Sequence, residues 1–214
     1  MKTERERIAD QISRSYRGEA WHGPSIAELL SDVGAAAASA RPEPSAQRVG
    51  DSPEPIATGV GSPSHERDDA PTQQEEPSAQ RVGGGAPTQQ EKSTHTIWEL
   101  VLHTTTWERY AMKRLQAGPG PRSLGEGGPN EKHEPSAEEN FPTVTDTSEA
   151  AWKKTLEELE LTTDRLCAMI RELASDARLD DKVPGKDYNV YFLLHGIAQH
   201  NIYHAGQIAL LKKK

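Results

Sequence analysis

Between Arg41 and Ser93 the chain carries neither a leucine nor an aromatic residue, so any core must be built from the segments on either side. The stretch is rich in Pro, Gly, Ser, Glu and Gln, and such a segment buries too little apolar surface to offset its own ordering entropy. It also repeats itself. EPSAQRVG occupies Glu43–Gly50 and returns at Glu76–Gly83, while APTQQE occupies Ala70–Glu75 and returns at Ala86–Glu91. The two spacings differ and neither unit has apolar periodicity, which argues against a stacked solenoid. The expectation is a disordered, internally duplicated insert over 41–93 that divides one helical domain into 1–40 and 94–214.

The flanking segments space their apolar residues by three and four, the period of a helix buried on one face. Four long stretches show it. Ile8, Ile12, Ser15 and Tyr16 share a face in the first, which stops at Gly18. Ile97, Leu100, Val101, Thr104, Trp107, Ala111 and Leu115 do so in the second. Trp152, Leu156, Leu159, Thr163, Leu166, Ile170 and Leu173 form the stripe of the third. Leu193, Leu194, Ile197, Asn201, His204, Ile208 and Leu211 form that of the last. A shorter helical piece follows Ser25, and the Pro- and Gly-rich stretch over 117–150 is expected to be loop. No alternating strand pattern appears. Four one-faced helices predict an all-α four-helix bundle, with the insert between its first and second main helices.

The formal net charge of −8 argues against a nucleic-acid or anionic-membrane surface, since phosphate binding needs a concentrated basic stripe. No run of about 18 apolar residues offers a membrane span. The charged start MKTERERIADQISRSY lacks the apolar centre of a secretory signal. The single cysteine, Cys167, excludes an internal disulfide and fits a reducing cytoplasm. Cytoplasmic localisation is the expectation. Cys167 lies at the edge of an apolar stripe and reads as a small core residue.

The last helix carries three histidines in ten residues, and helical phase separates them. His200 and His204, at i and i+4, lie one above the other on the core-facing stripe and its edge, whereas His195 falls on the opposite side, toward solvent or a partner. Two imidazoles one turn apart can grip one divalent cation. His103, on the edge of the second main helix's buried face, mirrors His200, so the three are expected to meet at one end of the core. Three histidine ligands leave one tetrahedral position for water or substrate, the pattern of a reactive zinc site. Glu99, one turn before His103, is the candidate catalytic residue, as a base or as a group that orients His103. The plain alternatives are packed imidazoles and a dipole-compensating surface glutamate. His22 belongs to a turn, and His65, His95 and His133 have no structured context and read as incidental.

These residues stand in a familiar setting. AWHGPSIAELLSDV, IWELVLHTTTWERY, FPTVTDTSEAAWKKTLEELE and above all VPGKDYNVYFLLHGIAQHNIYHAGQIALLKK resemble the DinB-like family of the DinB/YfiT superfamily of metalloenzymes. The resemblance covers nearly all the helical parts. It implies a four-helix bundle that commonly pairs as a homodimer. It also implies a divalent metal, usually zinc or nickel, held by one histidine of the second main helix and an HxxxH pair of the last, at His103, His200 and His204. Characterised members include thiol-dependent transferases and isomerases, so a low-molecular-weight thiol is an expected cosubstrate. The chain departs from the family pattern in its long repeat-bearing insert.

Two functions follow as expectations. One is a metal-dependent S-transferase or hydrolase acting on a small molecule. The other is a non-catalytic bundle whose metal ties helices together and whose insert recruits partners. The open coordination position favours the first; the lack of a second clear acid–base residue favours the second.

Overall fold

The computed structural model describes residues 1–42, 95–118 and 134–213. The expected insert over 41–93 lies outside them apart from Arg41 and Pro42, as do His65 and His133. The described residues form α1 (Glu4–Arg17), α2 (Ile26–Leu30), α3 (Ala35–Ser39), α4 (Ile97–Gln116), α5 (Ala137–Asn140), α6 (Glu149–Arg171), a 3₁₀ turn (Asp176–Asp180) and α7 (Val190–Leu211). They contain no β-strand. All belong to one compact unit made of Met1–Pro42 and Thr94–Lys214.

Local sequence explains where the helices start. Thr3, Ser25, Thr96 and Ser136 each cap a helix with the side-chain oxygen, and Glu6, Glu28, Glu99 and Glu139 return the bond to the cap backbone. Each such box satisfies two N–H groups that a helix start leaves orphaned. Ser148 and Asn189 cap α6 and α7. Helix α5 corrects the expectation of continuous loop over 117–150: the spacing Ser136-x-x-Glu139 is itself a start signal.

The four long helices are the expected four-helix bundle. α1 and α4 each pack against both α6 and α7, which places α1 diagonally across from α4. The N–H of Glu4 donates to Asp176, just past α6, while Arg17 at the far end of α1 reaches Glu160 and Asp164, so α1 and α6 are antiparallel. Trp98 pairs with Thr155 and Glu108 with Thr163, so α4 and α6 are parallel. Arg114, late in α4, donates to the carbonyl of Pro184, which precedes α7, so α4 and α7 are antiparallel.

The stripes bury as their spacing predicts, except that Trp107, Leu156, Leu173 and Leu211 are half-buried, lying at stripe edges or helix ends. The core is divided in two. One apolar cluster gathers Ile8, Ile12, Leu115, Leu166, Ile170 and Leu194; the other gathers Tyr16, Ile26, Trp98, Val101, Leu159 and Ile208. Between them lies a polar layer with one buried residue from each long helix, namely Ser15, Glu108, Thr163 and Asn201. Cys167 is a buried core residue as expected, its Sγ 3.4 Å from the carbonyl of Ala9, and burial pushes the thiol up to about 11. It is therefore no nucleophile.

Candidate metal centre

α4 and α7, adjacent and antiparallel, aim His103, His200 and His204 at one another. The Nε2 of His200 lies 3.0 Å from the Nε2 of His103 and 3.0 Å from that of His204. The three ligand atoms all fall within 4.8 Å of one another. His103 and His204 are buried and His200 half-buried. The cluster does not sit at one end of the core, as phase alone suggested. On α4 it lies between the Ile97–Val101 and Tyr110–Leu115 clusters, and on α7 between Val190–Ala198 and Ala205–Ile208. It is thus level with the polar layer, where the chain already departs from apolar packing.

The donor set fits a divalent ion. The Nδ1 of His103 is 2.9 Å from the carbonyl oxygen of Asn140; a carbonyl only accepts, so that nitrogen carries the proton and Nε2 presents its lone pair. The Nδ1 of His204 faces the Gln207 Oε1 at 2.6 Å, with the same result. His200 Nε2 therefore faces two lone pairs and can donate to one of them at most. An ion resolves this directly. Ligands on bonds of about 2.0–2.1 Å in a tetrahedron lie about 3.3 Å apart, close to the spacing seen. Burial, reinforced by the facing imidazoles, holds His200 down to about 3. Burial likewise holds His204 down to about 4 against the raising effect of Gln207, and it lowers His103. All three are neutral at pH 7, as ligands must be.

The surroundings of His103 come from the segment after α4 that was expected to be loop. Thr106 Oγ1 donates to the carbonyl of Glu139, and Trp107 Nε1 to Asn140 Oδ1 at 2.8 Å. These bonds hold α5 against α4 and so place the carbonyl that orients His103, the outer-shell bond metal-binding imidazoles ordinarily have. Phe141 stacks on His103 at 4.2 Å between centroids, 5° from parallel. His95 stacks on the other face of Phe141 at 3.7 Å and 4°. His95, read as incidental from sequence, is thus part of this neighbourhood.

Glu99 does not orient His103 directly. Its Oε2 accepts from the N–H of Thr96 at 2.9 Å and lies 3.5 Å from His95 Nδ1, and its Oε1 accepts from Arg41 at 3.0 Å. His195 lies away from the cluster, as its phase predicts, but it is half-buried rather than solvated. Its ring packs on Tyr191 at 4.3 Å, and its Nε2 is buried without a hydrogen-bond partner. His22 is exposed and stands outside the cluster.

Sequence reading passed over Glu108 altogether. It is wholly buried; Oε1 accepts from Asn201 Nδ2 at 2.9 Å and Oε2 lies 2.8 Å from Thr163 Oγ1. Thr163 Oγ1 also lies 3.0 Å from the carbonyl of Leu159. A hydroxyl has one proton, so both contacts are satisfied together when Thr163 donates to Leu159 and a protonated Glu108 donates to Thr163. Burial accordingly pushes this carboxyl up to about 7.

No curated protein and no solved structure matches the chain. The family model described as the DinB superfamily matches it over residues 21–208.

Proposed function

The chain belongs to the DinB superfamily, and from that premise we propose that it is a divalent-metal-dependent enzyme acting on a small molecule. His103, His200 and His204 would hold one zinc or nickel ion. The observation that carries the reading is the convergence of three neutral imidazoles on one place, with the Nδ1 of His103 and of His204 engaged outward so that their Nε2 lone pairs face His200 Nε2. Such an ion supplies Lewis acidity and a position at which a thiol or water is held as its anion. A low-molecular-weight thiol makes the protein an S-transferase; water makes it a hydrolase.

The chain's own residues then have defined tasks. Asn140 fixes the ring of His103 and Gln207 that of His204. Phe141 and Trp107 wall the cluster and limit water at it, which strengthens charge interactions there. Glu99, the candidate catalytic residue of the sequence, touches the site only by way of its neighbour His95.

A homodimer is proposed through α7. No Asp, Glu, Lys or Arg occurs between Val190 and Leu211, so no charge opposes burial of the outer face of α7. Yet Phe192, Ile202, Tyr203 and Leu210 are exposed. None of the described helices is long and apolar enough to cross a membrane. An uncharged face is self-complementary, and a second copy about a two-fold axis covers it.

The test is metal analysis of protein purified without chelator, followed by a screen of thiols and electrophiles. About one ion per chain with metal-dependent turnover supports the reading. One ion without turnover on thiols, esters and amides turns it into a metal-stabilised binding protein.

A further inference from the structure

A thiol or water entering the open position must give up a proton, and the three ligand imidazoles cannot receive it while their lone pairs face the ion. We propose that His95 receives that proton and that Glu99 is its positioning residue, an inference that rests on the metal-centre reading above.

His95 stands immediately before Thr96, the cap of α4, and is the outer ring of the His95–Phe141–His103 stack. Centroid steps of 3.7 and 4.2 Å put the two imidazoles no more than about 8 Å apart. Phe141 between them keeps His95 from joining the ligand set. The span that remains, across the edge of one phenyl ring, is of the size of a small molecule. The ring is about a third exposed, so it both meets a bound molecule and exchanges protons with solvent.

Glu99 is held in place from two sides, by the Thr96 N–H and by Arg41, and its side chain is 12% exposed. Its Oε2 faces His95 Nδ1. At 3.5 Å this carboxylate favours the proton on Nδ1 by charge rather than by a hydrogen bond, which leaves the Nε2 lone pair to act as base. His95 Nε2 makes no hydrogen bond among the described residues. Among the described residues the charged and titratable groups around it are Glu99, Arg41, His103 and His204, and a positive charge on His95 opposes protonation of both those histidines. His95 can thus take up a proton without passing it to the metal-binding nitrogens.

The step balances. The S–H or O–H bond of the entering molecule breaks, its electron pair stays on sulfur or oxygen, and an N–H bond forms at Nε2. The departing group of the electrophile later takes that proton and returns His95 to its neutral form.

The test uses the full chain loaded with cobalt(II), whose visible absorption follows ionisation at the open position without any turnover. Cobalt content and helicity are checked in wild type, His95→Gln, Glu99→Gln and His195→Gln; glutamine at 99 preserves the capping box. His95→Gln is expected to move the pH midpoint of the absorption change upward by at least threefold in proton concentration. Glu99→Gln should move it less in the same direction, and His195→Gln should leave it in place. Coincident midpoints for wild type and His95→Gln, or no transition in wild type, overturn the proposal while leaving the metal centre intact. A shift with His95→Gln alone removes Glu99 from it. Failure of the wild type to take up cobalt overturns the metal-centre reading itself.

Discussion

Glu108 Oε1 accepts a hydrogen bond from Asn201 Nδ2 at 2.9 Å, so a wholly buried carboxyl grips the residue that directly follows His200. The grip costs less when the carboxyl is neutral, because its described partners are uncharged.

Stability should therefore fall with rising pH on account of this residue. In the folded chain Glu108 is raised from 4.5 to about 7, so the folded state binds the proton more tightly. The contribution is fully present below 4.5 and is lost as pH rises through 7. Glu108→Gln, which mimics the neutral form, should be more stable than wild type at pH 8 by up to about 3 kcal/mol. Urea denaturation at both pH values checks this; the gain should shrink toward zero at pH 4, and an equal gain at both would point to packing instead.

The three clustered histidines act in the opposite sense. Their folded values lie below the ordinary 6.5, so their contribution is present above 6.5 and is lost as pH falls toward 3–4. Metal retention should persist into mildly acidic buffer and then fail. His200→Ala and His204→Ala should each abolish retention at pH 7.5, and His195→Ala should not. Elemental analysis after gel filtration reads the result, and equal loss in all three would disprove the ligand assignment.

Trp107→Phe keeps a ring but removes the bond to Asn140 Oδ1. Loosening the carbonyl that orients His103 should weaken zinc binding about tenfold, the lower end of what outer-shell changes do. Competition against a chromophoric chelator measures it. An unchanged affinity would show that Thr106 and the α5 cap suffice to place Asn140.

Leu210→Glu or Phe192→Glu should produce monomers in sedimentation velocity with metal content unchanged, since either places a charge on the uncovered face of α7. If wild type already sediments as a monomer, the α7 interface is refuted.

Much of this architecture was legible in the sequence because helices repeat their environment every three or four residues. That period aligned His200 and His204, placed His103 on a neighbouring buried edge and set His195 apart. It could not show that His95 and Phe141 meet, because that contact depends on how a Pro-rich segment folds back after α4. The one available signal was the Ser136-x-x-Glu139 box, which marks α5. Glu108 escaped for a different reason. Periodicity scores a glutamate as polar wherever it stands, and only the position of Asn201 and Thr163 on two other helices shows that this one faces inward.

Arg41 and His95 stand where the chain leaves the bundle and where it returns, and both reach the same carboxylate, Glu99. Among the described residues one side chain thus bridges both ends of this gateway, beside the packing of α3 on α4. Lengthening a closed loop costs only logarithmically, about 0.6 kcal/mol per doubling. Duplications such as EPSAQRVG and APTQQE can therefore accumulate in that interval at small thermodynamic cost, leaving selection on the bundle nearly blind to the interval's size.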